Sequence, residues 1–79
     1  MTLAEVRAAI NKFGKNFVDI TLVSGGAMRG VLTEAYSGHP DDPRGYKEDF
    51  AYVLRIDTAP NQTIKLDCSE ISRIVAASL

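Results

Sequence analysis

The sequence predicts a mainly β domain in which an N-terminal α-helix precedes a five-stranded antiparallel sheet curled into a small barrel. Three observations carry this expectation. A capping box opens an apolar stripe of helical period at the start of the chain. After Gly14 the apolar spacing falls from about 3.6 residues to about 2 and stays there. Turn signals containing Gly or Pro then cut the rest of the chain into short alternating runs.

The elements follow in order. Thr2-Leu3-Ala4-Glu5 has the form in which a Thr hydroxyl accepts from a free backbone N–H while a Glu reaches back. Leu3, Val6, Ile10 and Phe13 then stack on one stripe, so residues 3–13 read as a helix with one buried face. Gly14 is placed to end it in the left-handed conformation. Val18, Ile20 and Leu22 alternate with Asp19, Thr21 and Val23 as a half-buried strand. Ser24-Gly25-Gly26 is a tight turn into a second strand from Ala27 to Tyr36, with Met28, Gly30 and Leu32 on one face. Gly30 inside a strand marks a bend, a bulge or a close backbone approach.

Residues 37–50 break the period and read as a polar loop, long enough to be functional or mobile. Tyr52, Leu54 and Ile56 alternate with Val53, Arg55 and Asp57 in a third strand. Thr58 to Gln62 is a turn, and Ile64 and Leu66 alternate with Lys65 and Asp67 in a fourth strand. Ser69-Glu70-Ile71 reads as a short 3₁₀ turn, and Arg73–Ala77 as the last strand. The barrel thus occupies residues 17–77 of a single domain, 1–79. A chain of 79 residues removes only about 60% of its surface from water on folding, which leaves room for one core.

Composition narrows the function classes. At 46% hydrophobic and 24% charged, the chain is too apolar to be disordered, and its apolar runs are too short to span a bilayer. Glu5 and Arg7 interrupt the first apolar residues, so no signal peptide is read there. The single cysteine, Cys68, excludes an internal disulfide and fits a reducing, cytoplasmic setting. Nine Lys and Arg against ten Asp and Glu give a net charge of −1, whereas phosphate binders usually carry a basic excess. Folding could still gather Arg29, Arg44, Lys47, Arg55 and Lys65 on one side.

The barrel expected from one helix and five strands is of the SH3-like kind. Within it, the run Val18 to Gly26 looks like the first strand and turn of the Sm-like (LSm/Hfq-type) family. Arg29-Gly30-Val31-Leu32 resembles that family's second strand, and Tyr52 to Asp57 its third. The resemblance implies a non-enzymatic binding module that joins copies of itself edge to edge, in a ring, through Thr63–Asp67 and Arg73–Ala77, and that binds single-stranded RNA. The family's RNA motifs do not carry over. Glu34-Ala35-Tyr36-Ser37-Gly38 stands where an Asp-x-x-Met-Asn motif belongs, and Asp67-Cys68-Ser69-Glu70 where an Arg-Gly or Lys-Gly pair belongs. Thr63 to Ile71 also resembles the end of Rof-type Rho-binding antiterminators, which bind a protein.

Candidate chemistry is sparse. His39 with Asp41 and Asp42 has ligand chemistry for a divalent metal, but Pro40 and Pro43 stiffen the loop, and no metal or other cofactor is expected. Cys68 lacks a nearby base and reads as a small buried residue, and no catalytic set or phosphate loop appears. Tyr36, Tyr46 and Phe50 interleave with Arg44 and Lys47 across the loop. Rings and cations in that order serve base stacking, protein contact or plain packing. Tyr36, His39, Arg44, Tyr46 and Lys47 are therefore the candidate ligand or partner contacts.

Overall fold

The capping box forms as the spacing requires. The Glu5 N–H donates to Thr2 Oγ1 at 3.1 Å, and the Thr2 N–H donates to Glu5 Oε1 at 3.0 Å. In this computed structural model, which describes residues 1–78, helix α1 spans Leu3–Phe13. Five strands follow: β1 (Val18–Leu22), β2 (Ala27–Tyr36), β3 (Phe50–Arg55), β4 (Gln62–Asp67) and β5 (Ile71–Ala76). A 3₁₀ turn, Cys68–Glu70, joins the last two. Gly14 does close the helix at positive φ, +56°, but its ψ of −126° lies outside the left-handed helical well.

The strands form one antiparallel sheet in the order β4-β3-β2-β1-β5. The expected fold class holds, with one difference in its closure. Among the described residues no ladder joins β4 to β5, so both are edge strands of an open sheet. Helix α1 packs against β2 and buries Val6 and Ala9, while Leu3, Ile10 and Phe13 are half-buried along the same core. The Met1 amino group donates to the carbonyls of Cys68 (2.9 Å) and Ile71 (2.6 Å), tying the start of the helix to the turn before β5.

The core is built from alternate positions. Val18 and Ile20 of β1, Met28 and Leu32 of β2, Ala51 and Val53 of β3, Leu66 of β4 and Ile71 of β5 are all buried. Fully burying an aliphatic side chain of this size stabilises by about 1.5–3 kcal/mol, so this layer supplies the main driving force for folding. Between β1 and β2, Gly25 takes φ +97°, and its N–H donates to the Leu22 carbonyl at 2.9 Å.

Several sequence boundaries move. The third strand starts at Phe50 rather than Tyr52, because β2 is long enough to pair Tyr36 with Phe50. Ile56 and Asp57 lie beyond it: Asp57 turns its carboxylate to Arg55 and to the Arg29 N–H. The 3₁₀ turn also begins one residue early, at Cys68, and the last strand runs from Ile71 to Ala76 rather than from Arg73 to Ala77, because Leu22 pairs with Ile71.

Gly30 is a close approach. It pairs with Val18 on one side and Arg55 on the other. A Cβ there would collide with the Leu54 carbonyl oxygen and sit 3.0 Å from its carbon. Backbone on both sides leaves no flexible atom to yield. Gly30→Ala should therefore lower unfolding free energy by about 1–3 kcal/mol, read from urea denaturation. Gly26→Ala, whose Cβ would meet only side-chain atoms at 3.5 Å and beyond, should change it by about 0.5 kcal/mol or less. Equal losses for the two variants would refute the collision.

Candidate functional site

The feature that builds an outer site is one extra residue in β2. Leu32 pairs with Val53 and Glu34 with Tyr52, so Thr33 has no partner and forms a bulge. Its Oγ1 donates to the Tyr52 carbonyl at 3.0 Å, giving that carbonyl a donor where the ladder is interrupted. The bulge switches the parity of β2. Before it Met28, Gly30 and Leu32 face the core; after it Ala35 does, and Glu34 and Tyr36 face outward.

Register then aligns two rows across three strands. Glu34 pairs with Tyr52 and Tyr52 with Lys65; Tyr36 pairs with Phe50 and Phe50 with Asp67. Paired residues share a face, so all six lie on the outer surface of one end of the sheet. Their rings touch: Tyr36–Phe50 centroids are 5.7 Å apart, Phe50–Tyr52 5.6 Å and Tyr36–Tyr52 6.2 Å, all tilted or edge-on. These are favourable aromatic arrangements.

The loop between β2 and β3 folds back over this surface. Tyr46 sits edge-on to Phe50 at 5.1 Å. Phe50 is thereby only 4% exposed although it points away from the main core, while Tyr36 remains 43% exposed. The neck of the loop is closed: the Gly38 N–H donates to Asp49 Oδ1 at 2.9 Å, and the Cys68 N–H donates to the Asp49 carbonyl at 2.8 Å. Within the loop the His39 N–H donates to the Tyr46 carbonyl at 3.1 Å. A segment that reads as polar and aperiodic is thus ordered by its own ring and its own neck.

Cations and carboxylates are interleaved on the same face. Arg44 lies 4.5 Å from the Tyr46 ring and holds Asp42 through both its Nε (3.2 Å) and Nη2 (3.0 Å). That guanidinium keeps the Asp42 carboxyl below the usual range. Lys65 Nζ lies 4.6 Å from Tyr46, 5.4 Å from Phe50 and 3.0 Å from Asp67 Oδ1. Glu34 Oε2 accepts from the Tyr36 hydroxyl at 2.7 Å, and this hydrogen bond raises the Tyr36 phenol above its ordinary value. Glu34, Tyr36, Ser37, Arg44, Phe50 and Tyr52 line an open cleft of about 420 Å³.

Of the residues singled out from sequence, Tyr36, Arg44 and Tyr46 meet here. His39 and Lys47 do not join the ring cluster. His39 Nδ1 accepts from the Asp41 N–H at 3.0 Å within a local turn, and Lys47 is exposed. His39, Asp41 and Asp42 do not converge, and among the described residues no group of three His, Cys, Asp or Glu could hold a metal ion. Cys68 is buried, and burial pushes its thiol up, away from nucleophilic use. Sequence reasoning missed Glu34, Tyr52 and Asp67 as members of the face. The signal was there in three pairs spaced by two, 34/36, 50/52 and 65/67; what aligns them is register.

The other cations grouped from sequence lie apart from the cleft. Arg29 grips Asp19 through two nitrogens, at 2.7 and 3.1 Å, and Arg55 grips Asp57 at 2.9 and 3.0 Å. The Arg29 N–H adds a third donor to Asp57 at 3.2 Å. Arg29, Arg44, Arg55 and Lys65 therefore each face an aspartate partner. Folding does not gather them into a basic side. Among the described residues no helix is long and apolar enough to cross a membrane.

Comparison with protein-family models, curated proteins and solved structures returns no match for this chain.

Two outcomes test this geometry. Phe50→Ala should cost about 3–5 kcal/mol in urea denaturation, as for an aromatic side chain lost from a core, and Tyr36→Ala much less. Arg55 and the Arg29 N–H hold the Asp57 carboxyl down at about 2, from an ordinary 3.8. A carboxyl depressed in the folded state adds stability above its unfolded value, and that stability is lost as pH falls through the folded value. Urea midpoints should thus decline between about pH 5 and pH 2, and more shallowly in Asp57→Asn. An unchanged acid limb in that variant would refute the assignment.

Proposed function

We propose that this protein is a non-enzymatic binding module that takes a protein partner on its outer aromatic face. The observation that carries the reading is the charge of that face. Residues 34–50 contain five carboxylates (Glu34, Asp41, Asp42, Glu48, Asp49) against two cations (Arg44, Lys47), a local balance of −3 in a chain of net −1. Lys65 and Asp67 beside them cancel, and Arg7, which lines the groove on the helix side of Glu34, leaves the face acidic. A nucleic-acid backbone is repelled by such a field, whereas rings rimmed by charges suit a protein interface. Tyr and Arg are favoured anchors in such contacts. The resemblance of residues 63–71 to Rof-type antiterminators, which bind a protein, supports the same reading.

A second reading is the Sm-like one, a homo-oligomer, ring-shaped, that binds single-stranded RNA. The open edges at β4 and β5 favour it, since unpaired strand edges invite pairing with other chains. So does the exposed Tyr36 ring, a surface on which a base can stack.

A photo-crosslinking amino acid at position 36 in the full chain separates the two readings. The first expects a protein adduct in cells that is lost when Tyr52→Ala is added. The second expects RNA adducts, oligo-U or oligo-A binding that weakens with salt, and a multiple of the 8.6 kDa mass by light scattering. RNA adducts in place of protein ones would overturn the first reading.

A further inference from the structure

We infer that the aromatic cleft receives a cationic side chain, lysine or arginine, so that the partner docks through a basic segment. The inference rests on the protein-binding reading and specifies its ligand. On the outer face Asp42 is matched by Arg44, and Asp67 by Lys65. Glu34 is bound differently. Among the described residues its one side-chain hydrogen bond comes from a neutral donor, the Tyr36 hydroxyl, and no ion pair holds it. Arg7, which lines the neighbouring groove with it, donates to the Ala35 carbonyl instead, so Glu34 brings an unpaired negative charge to the cleft wall.

The rest of the wall suits the same ligand. Tyr36, Phe50 and Tyr52 are tilted or edge-on to one another, so the cleft is bounded by rings set at different angles. Cations are attracted to ring faces within about 6 Å, and Arg44 and Lys65 already sit 4.5 and 4.6 Å from Tyr46. Arg44 also lines the cleft, but Asp42 accepts from two of its nitrogens and balances its charge. An added cation therefore meets Glu34 and aromatic surface. The excess of acid over residues 34–50 would draw a basic segment toward the same end of the sheet. The complementarity selects a basic peptide over an acidic one, over an RNA strand, and over apolar contact with a second copy.

The test titrates the full chain with a capped hexapeptide of alternating Arg and Gly, with its Glu-for-Arg counterpart, and with oligo-U, following the Tyr36 and Tyr52 ring resonances. The Arg peptide should shift both rings and the other two probes neither. Glu34→Gln keeps the shape and an acceptor for Tyr36 at an exposed position, so the fold is retained, and it should weaken Arg-peptide binding about tenfold. Added salt should weaken the wild type more than this variant. Equal binding of the acidic peptide, ring shifts with oligo-U, or full Arg-peptide affinity in Glu34→Gln would overturn the inference. If position 36 crosslinks a protein and the Arg peptide does not bind, the basic-segment inference falls and the protein-binding reading stands. If neither occurs, both fall.

Discussion

Thr33 is the residue that β2 has in excess of β3, and the outer face depends on it. A strand with an uninterrupted period would place Glu34 and Tyr36 on the same side as Met28 and Leu32. A carboxylate would then enter an apolar core, at a cost far beyond what one buried methyl group returns. Ala35, now buried near Val6 and Ala9 of the helix, would face water instead. One unpaired position keeps both layers consistent. The inner layer stays aliphatic, and the outer layer acquires a ring and an acid next to Tyr52 and Phe50.

The outer layer behaves as a second, smaller core. Phe50 is shielded by three tyrosines, and the Lys65 ammonium lies 5.4 Å from its ring centroid, within reach of a cation–π attraction. The two layers are linked through β3, where Phe50 and Ala51 are consecutive and buried on opposite sides. Charge pairing follows the same economy of place. Arg44 with Asp42, Arg55 with Asp57 and Lys65 with Asp67 are pairs two residues apart, and among the described residues only Arg29 with Asp19 crosses between strands through side chains. Exposed pairs of this kind add little to stability, but they set which charges a partner meets.

Much of the fold was legible because it rests on local rules. The capping box, the stripe from Leu3 to Phe13 and the limits of β2 follow from spacing that one element determines alone. Gly30 was legible as an exception, though not as a collision with Leu54, which belongs to another strand. Parity after Leu32 was hidden, since a bulge shows only in the pairing of two strands. The start of β3 was hidden for the same reason: Phe50 and Ala51 continue a strand only because Tyr36 and Ala35 are there to pair with them. Rings and cations of the loop were readable as a group, yet Glu34, Tyr52 and Asp67 joined it only through register. Composition likewise reported a near balance of charge and concealed that the acid gathers over residues 34–50.

The neck at Gly38 and Asp49 separates the ladder from the loop's tip. Gly38 leaves no room for a Cβ against the Lys47 and Glu48 backbone, so the two limbs are joined before the chain reaches Pro40. Closing a longer excursion above a joined neck adds entropy cost only logarithmically. The segment from Asp41 to Gly45 is therefore a place where length can drift between descendants of this chain, or be engineered as a graft point, while strand register stays fixed below it. Contacts at Arg44 would change with such drift, whereas the wall built from Glu34, Tyr36 and Tyr52 would persist. The face thus divides into a strand-borne part fixed by register and a loop-borne part whose length the register leaves free.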